Sequence, residues 1–284
     1  MRTQHIGSLE LDRARLAEDL ETSAGFRYSE AYSDYLCGGP WKSAVLWAAS
    51  GDSGDGLVTN YDYAKAPDLT DYGKQLPYIW GLVADLVDLT RLNFARLAVI
   101  SDSVIIPHRD LLELESIPGE SRNAHRMHIP LVTNDRCFFS SGNEVYRMAE
   151  GEVWFFDAAQ VHSAASLSST PRVHLMLDFT DQESDEPLVK LPYRVDGGIP
   201  ADRVERRPPM SEEERAELLG LAPLITMDNY RDVFSIVIKK HFRADGGDDF
   251  VWRTMREIAR AGRDPAVAAR IDEMQRYFTL ERSA

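Results

Sequence analysis

Three titratable residues end an apolar run in the middle of the chain, where His108, Arg109 and Asp110 follow Ile105-Ile106-Pro107. In an extended strand, residues two apart project from the same face, so His108 and Asp110 share one face and Arg109 lies on the other. An imidazole and a carboxylate on one face are two ligands for a borderline metal ion. The spacing therefore predicts half of a metal site, whose third ligand must come from elsewhere.

His162 is the candidate for that third ligand. It follows the predicted strand GEVWFFD in the segment AAQVHSAAS, where small residues leave space around its ring. Two histidines and one carboxylate leave further positions open on a metal ion, as in non-haem Fe(II) oxygenases, whereas a structural zinc site is closed by a fourth protein ligand. An H-x-D motif alone is weak evidence, and a single loop histidine more often only forms a hydrogen bond, so the prediction depends on the joint pattern.

The elements that must position these ligands lie between Phe94 and Phe179. Short runs rich in Val, Ile and Phe alternate there with polar turns: ARLAVIS, SVIIPH, HRMHIPLV, RCFFSS, EVWFFD and RVHLMLDF. This pattern is typical of an antiparallel β-sandwich or barrel. The sequence predicts a mainly β core flanked by helices.

Several of these strands carry cations on the face opposite to their apolar side chains. Arg126 shares a face with His128, Arg172 shares a face with His174, and Arg96 is flanked by apolar residues. In one interpretation this face is exposed to solvent. In the other it lines the mouth of a barrel, and arginine forks there bind carboxylates bidentately. Because Arg172 begins the strand after His162, the second interpretation places a metal ligand and a cation at the two ends of a small diacid such as 2-oxoglutarate.

Composition limits the classes of protein to which the chain can belong. Its 284 residues, 44% of them hydrophobic, are enough for a sizeable core. The net charge of -14 argues against nucleic acid or an acidic membrane surface as a partner and leaves a small-molecule substrate as the expectation. Two cysteines do not suggest a disulfide-stapled scaffold or a cysteine zinc site. The absence of an apolar signal or membrane segment predicts a soluble cytoplasmic protein.

Helical patterns lie on both sides of the β region. Residues 13–24 and the segment from Leu76 precede it, and a polar connection over about 181–209 follows it. Ser211 and Glu214 form a predicted capping box, and further helical patterns extend to Phe278. The sequence leaves open whether these C-terminal helices pack on the chain's own β region or form a dimer contact.

The chain resembles the bacterial free-amino-acid proline hydroxylases of the cis-3 and cis-4 types, which belong to the wider aspartyl/asparaginyl β-hydroxylase group of Fe(II)/2-oxoglutarate dioxygenases. The resemblance covers nearly the whole chain. Its most specific motifs are IIPHRD and GEVWFFDAAQVHSA, supported by EAYSDYLCGGPWK, PRVHLMLDF and NYRDVFSIVIKKHF. It implies a double-stranded β-helix, or jelly-roll, core within residues 1–200 and a C-terminal helical domain over residues 201–284.

The resemblance also implies residue roles. Fe(II) is held by His108, Asp110 and His162. The 2-oxoglutarate cosubstrate is bound by Arg172, at its distal carboxylate, and by His128. The carboxylate of a free amino acid is held by Arg126 and Arg96, with Trp41 near the substrate pocket, although simple core packing explains Trp41 equally well. The implied reaction uses O₂ to hydroxylate a ring carbon and releases succinate and CO₂.

The substrate is less specified than the reaction. L-Proline is the first expectation and L-pipecolate the second, because residues 116–125 replace a shorter connection in the cis-4 pattern and are expected to reshape the substrate mouth. The same chemistry on a different free amino acid, or on an Asp or Asn side chain, is also compatible with the sequence. A jelly-roll isomerase or hydrolase with zinc or manganese, and a non-catalytic binding or sensor protein, are two further classes.

Overall fold

Two antiparallel sheets face each other in the computed structural model, which describes residues 2–110, 125–180, 184–191, 194, 195 and 197–279. In chain order the strands are β1 (Gln4–Ser8), β2 (Leu36–Gly38), β3 (Lys42–Ala49), β4 (Pro67–Leu69), β5 (Leu92–Ile100), β6 (Ser103–Ile105), β7 (His125–Val132), β8 (Cys137–Ser141), β9 (Glu144–Tyr146), β10 (Glu152–Phe156), β11 (His162–Ser166) and β12 (Arg172–Phe179). One sheet has the order β1-β10-β7-β12-β5-β3-β4 and the other β2-β6-β11-β8-β9. Residues 116–124, most of the loop expected to reshape the substrate mouth, lie outside the described residues.

Six α-helices flank the sheets within the described part of the chain. Their bounds are α1 (Arg13–Ala24), α2 (Pro77–Leu86), α3 (Glu212–Leu219), α4 (Tyr230–His241), α5 (Phe250–Ala261) and α6 (Pro265–Thr279). The predicted helix over 13–24 and the helix opening at Pro77 are confirmed. The predicted capping box is also present, because Ser211 accepts from Glu214 N at 3.1 Å and Glu214 accepts from Ser211 N at 2.8 Å.

The two sheets and the helices form layers. Leu46, Leu97 and Leu175 point away from the five-stranded sheet and share a core with α1 and α2. Phe139 from one sheet and Trp154 and Met176 from the other meet in the space between the sheets. Apolar side chains on the outer face of the five-stranded sheet pack against the C-terminal helices. The period-2 pattern therefore assigns each residue of β12 to one of two buried layers, with its cations in the layer between the sheets.

The C-terminal helices pack on the chain's own five-stranded sheet and reach the segment of the predicted metal ligands. The indole of Trp252 in α5 donates to Pro107 O at 3.1 Å, and Arg109 N donates to Phe278 O near the end of α6 at 2.8 Å. Phe278 also packs edge-on against Tyr35, whose ring contacts His108. The division at residue 200 stays a prediction. Among the described residues, no helix combines the length and apolar character needed to cross a membrane.

Candidate active site

Backbone pairing brings His108 and His162 together at one end of β6 and β11, two inner strands of the five-stranded sheet. His108 N donates to His162 O at 2.9 Å and His162 N donates to His108 O at 2.8 Å, which extends the β6–β11 pairing beyond the strands themselves. The centroids of their rings lie 4.2 Å apart. Asp110 N donates to Ala158 O at 2.9 Å, which holds Asp110 beside the segment that leads into His162. Residues far apart in sequence thus become neighbours through main-chain hydrogen bonds.

The side chains of these three residues suit a metal ion. Nδ1 of His108 lies 2.8 Å from Ile106 O, and Nδ1 of His162 lies 2.9 Å from Gln160 O. A carbonyl can only accept, so each Nδ1 carries the proton and each Nε2 keeps its lone pair for a ligand role. One ligand atom from each of His108, Asp110 and His162 lies within 4.8 Å of the other two. Two imidazoles and one carboxylate are a donor set that fits Fe(II).

Electrostatics keep Asp110 and His162 in the protonation states that metal binding needs. Burial alone would raise the pKa of Asp110, but the adjacent Arg126 guanidinium outweighs burial and holds that pKa well below its usual range. Burial, reinforced by the neighbouring His108, lowers the pKa of His162 to about 3. A carboxylate and a neutral imidazole are the forms that bind metal ions.

Arg126 lies between two carboxylates. Its guanidinium forms an ion pair with Asp110 and a second with Asp178, whose Oδ1 accepts from Nε at 2.6 Å. Strand register explains the second pair, because Arg126 in β7 lies directly opposite Asp178 in β12. The family resemblance assigns Arg126 to a substrate carboxylate, and the structure places it where it already orients a predicted metal ligand.

Arg96 and Arg172 differ from Arg126, because both are buried without an acidic partner in the described chain. Their exposed fractions are only 3% and 2%, and Nε and one terminal nitrogen of each have no hydrogen-bond partner among the described residues. The guanidinium of Arg172 stacks over Phe139 and that of Arg96 lies over Tyr32. The interpretation of this face as solvent-exposed is therefore wrong. Unpartnered buried N–H groups are costly unless a ligand supplies acceptors.

His128 and Trp41 also border the space between the sheets. His128 is 5% exposed and packs against Phe156, and its Nε2 has no partner in the described chain. Trp41 packs near Tyr32 at 6.0 Å between ring centroids, and its indole N–H is likewise buried without an acceptor among those residues. Trp41 thus packs in the apolar layer and also presents an indole N–H without an acceptor in the described chain. Its position is compatible with both expectations from the sequence, core packing and a place near the substrate pocket.

The structure adds four neighbours that the sequence patterns did not assign: Tyr32, Tyr35, His174 and Asp178. His174 and Asp178 lie on the same face of β12 as Arg172, so the period-2 pattern contained a signal for both. Tyr32 and Tyr35 lie in an irregular segment before β2 and reach the site only through tertiary packing. No periodicity could have identified them.

Comparisons with known proteins agree with this geometry. The aspartyl/asparaginyl β-hydroxylase model matches residues 8–182, and the model for the C-terminal part of L-proline 3-hydroxylase matches residues 187–284. An L-proline cis-4-hydroxylase from Rhizobium meliloti (strain 1021) is 35% identical, over 98% of this chain and 96% of that protein. The chain belongs to the family of L-proline cis-3 and cis-4 hydroxylases. It is a non-haem Fe(II)/2-oxoglutarate hydroxylase that uses O₂.

Two further relatives of this hydroxylase come from Streptomyces. L-Proline cis-3-hydroxylase 2 is 33% identical over 100% of this chain and 97% of that protein. L-Proline cis-3-hydroxylase 1 is 32% identical over 95% of this chain and 96% of that protein. A crystal structure of a 2OG-Fe(II) oxygenase family oxidoreductase from Burkholderia pseudomallei is 14% identical, and the alignment covers 61% of this chain and 81% of that one. Its TM-score of 0.39 is too low to establish a shared fold.

Proposed function

We propose that this hydroxylase acts on a ring carbon of free L-proline and couples that step to the conversion of 2-oxoglutarate to succinate and CO₂. The observation that carries the proposal is the combination of a His-Asp-His cluster with two buried arginines that lack acidic partners in the described chain. Relatives similar over nearly their full length are L-proline hydroxylases. The alternative of a metal isomerase or hydrolase assigns no specific role to these arginines.

His108, Asp110 and His162 would hold the iron. Fe(II), when bound there, supplies the activation of O₂ that the reaction requires. The protein's part is to fix the ligands, which it does through the carbonyls of Ile106 and Gln160 behind the two rings. Arg126 keeps the Asp110 carboxylate ionised and oriented from the other side.

Arg172 and His128 would bind 2-oxoglutarate. The Nε and one terminal nitrogen of Arg172 lack acceptors among the described residues, and a carboxylate accepts from two neighbouring guanidinium N–H groups at once. Burial lowers the pKa of Arg172 to about 10, so its guanidinium stays charged near pH 7. Cosubstrate binding would therefore supply the acceptors that Arg172 lacks among the described residues.

Arg96, with Arg126 and Trp41, would orient the amino acid. Arg96 has N–H groups that lack acceptors among the described residues and could bind the substrate carboxylate, and the ring of Tyr32 lies beneath its guanidinium. Arg126 pairs with Asp110 and Asp178, so the substrate carboxylate would share this guanidinium with those two side chains. Trp41 would form an apolar wall against the ring. Fixing the carboxylate beside the metal selects the ring carbon that reacts.

The fold proposal accompanies the functional one. We propose that the two facing sheets form a double-stranded β-helix, or jelly roll, within residues 1–200, and that residues 201–284 form the C-terminal helical domain. The two sheets, of seven and five strands, with the ligand residues between them, support the first part. The shared core of α3–α6 supports the second.

Product analysis tests the proposed reaction. Purified protein with Fe(II), 2-oxoglutarate and O₂ is incubated with a panel that contains L-proline, L-pipecolate, acyclic amino acids and an Asp-containing peptide. Mass spectrometry should show L-proline gaining one oxygen atom in step with succinate formation, and NMR of the product identifies the carbon. L-Pipecolate as the better substrate would move the assignment to the larger ring. Turnover of any panel member without O₂ or 2-oxoglutarate would contradict the reaction.

Metal binding tests the ligand set independently. Under anaerobic conditions, His108→Ala and Asp110→Ala should each lose Fe(II) binding by at least about tenfold, because one of three protein ligands is removed. Asp135→Ala removes an exposed carboxylate elsewhere and is the matched control. Retention of wild-type Fe(II) affinity in a double variant at His108 and Asp110 would contradict the assignment.

A further inference from the structure

Two buried histidines meet between β7 and β12. Nδ1 of His128 lies 3.4 Å from Nδ1 of His174, and the residues are only 5% and 0% exposed. The Nε2 atom of each ring has no hydrogen-bond partner in the part of the chain that the structure describes. His128 has a proposed role with 2-oxoglutarate, whereas His174 has none, although it is completely buried beside the same site.

The two rings share a single proton between their facing nitrogens. Burial lowers the pKa of both histidines well below the usual range, and the neighbouring arginines act in the same direction, so both rings are neutral near pH 7. A neutral imidazole carries one N–H. A hydrogen bond between the two Nδ1 atoms therefore needs one protonated and one bare Nδ1, and the ring with the bare Nδ1 must carry its proton on Nε2.

Two arrangements satisfy this condition, and they differ in what His128 offers to a ligand. If His174 donates from Nδ1, His128 presents an N–H at Nε2. If His128 donates instead, its Nε2 presents a lone pair, which repels a carboxylate.

We propose that His174 is a positioning residue that holds His128 as its Nε2–H tautomer, so that His128 donates to a carboxylate oxygen of 2-oxoglutarate. The ligand's identity rests on the function proposed above. His174 then acts through His128, as second partners of ligand-binding histidines commonly do, and does not need to touch the cosubstrate. Simple core packing would require only a side chain of the right volume.

A matched pair of variants separates these roles. The amide nitrogen of Asn can take the place of His Nδ1 and donate, whereas Leu has nearly the same size and cannot donate. His174→Leu should weaken 2-oxoglutarate binding about tenfold, the effect of one lost hydrogen bond, and His174→Asn should stay within about threefold of wild type. Binding is measured calorimetrically with Mn(II)-loaded protein without O₂, and the KM of the amino acid should remain unchanged in both variants.

The tautomer is observable without any variant. The chain has seven histidines, few enough for ¹⁵N-histidine labelling and two-bond ¹H–¹⁵N spectra of Zn(II)-loaded protein with 2-oxoglutarate. These spectra should show His128 protonated at Nε2 and His174 protonated at Nδ1. The reverse pattern, or equal binding by the Leu and Asn variants, would overturn the role of His174 while leaving the reaction intact. Wild-type protein that fails to bind 2-oxoglutarate would overturn the proposed function and this inference with it.

Discussion

Arg172 is buried and Arg207 is partly buried, and their guanidinium groups differ in whether the described chain supplies hydrogen-bond acceptors. Arg207 lies where the connection to the C-terminal helices meets the β8–β9 turn. It donates to the backbone carbonyls of Asn143 and His241, the latter at 2.6 Å. Arg172 lies between the sheets with two nitrogens that have no acceptor in the described chain. The surroundings of Arg207 supply acceptors for its guanidinium, whereas the described surroundings of Arg172 leave two of its nitrogens without any.

This difference distinguishes a structural cation from a ligand-binding one. An arginine whose acceptors belong to the chain stabilises the fold whenever the protein is folded. An arginine without them destabilises the unliganded protein and gains its partners only when an anion binds. Substitutions in the two regions should therefore affect different measurements: ligand affinity at Arg172 and the free energy of unfolding at Arg207.

The largest effect is expected at Arg172. Arg172→Leu should raise the KM for 2-oxoglutarate by about 100-fold or more, because a charge-assisted bidentate contact is lost. The free energy of unfolding of the unliganded protein should stay the same or increase, since an unpaired buried cation is removed. Arg172→Lys keeps the positive charge but loses the bidentate guanidinium, so its KM for 2-oxoglutarate should lie between those of wild type and Arg172→Leu. Cosubstrate titrations measure the KM and urea unfolding measures the stability. Lost stability with an unchanged KM would show that Arg172 is a structural cation and not a ligand-binding one.

Arg207→Leu should show the opposite pattern. The free energy of unfolding should fall by about 2–3 kcal/mol, because hydrogen bonds from a charged group to two backbone carbonyls are lost. At a temperature where the variant is folded, the KM for 2-oxoglutarate should equal that of wild type. Arg206→Leu removes an exposed neighbouring charge and should change neither quantity by much. A higher KM for Arg207→Leu, with an unchanged KM for Arg206→Leu, would show that the region around Arg207 also shapes the cosubstrate site.

His241, in contact with Arg207, should make stability depend on pH. Burial and then Arg207 lower its pKa from 6.5 to about 4 in the folded protein. The unfolded chain therefore binds more protons between these values, so stability is lost as pH falls from 6.5 toward 4. Between pH 7 and pH 5 this loss is about 2 kcal/mol. Urea unfolding of wild type and His241→Asn at both pH values should show a smaller loss in the variant, and equal losses would exclude His241 as a source.

The smallest effect is expected at the start of α3, a short distance after Arg207. Ser211→Ala removes the side chain that accepts from Glu214 N and should lower the free energy of unfolding by about 1 kcal/mol. Glu213→Ala, an exposed change in the same turn, should cost less. Both variants should bind 2-oxoglutarate normally. A change in cosubstrate affinity larger than the change in stability would contradict the separation of the two regions.

Local patterns predicted much of the architecture. Helix α1 coincides with the predicted span, α2 begins at Pro77, and the Ser211–Glu214 capping box is present, because each depends on residues within one or two turns of each other. The period-2 pattern also assigned Arg172 and His128 correctly to the faces opposite their apolar neighbours. It left open whether those faces meet solvent or protein, because alternation records only that two faces differ.

Pairings between distant strands escaped prediction for a different reason. The Arg126–Asp178 ion pair and the His128–His174 contact depend on the register of β7 against β12, which is set by packing of whole sheets. Tyr35 reaches His108 because its segment pairs with the β6 segment, where Ile106 N donates to Tyr35 O at 2.8 Å. Phe278 accepts from Arg109 N because the C-terminal helices fold back onto the five-stranded sheet. Such contacts have no fixed separation in sequence, so no spacing rule indicates them.

The spacing of His108 and Asp110 requires only an extended backbone, which projects both side chains from one face whatever the rest of the chain does. Their meeting with His162, and the facing Nδ1 atoms of His128 and His174, required strands distant in sequence to pair. The burial of Arg96 and Arg172 beyond reach of acidic partners in the described chain required the two sheets to face each other. Backbone geometry acts over a few residues, so the local sequence alone determines it. The acceptors that a buried donor finds, or lacks, are decided by the whole fold.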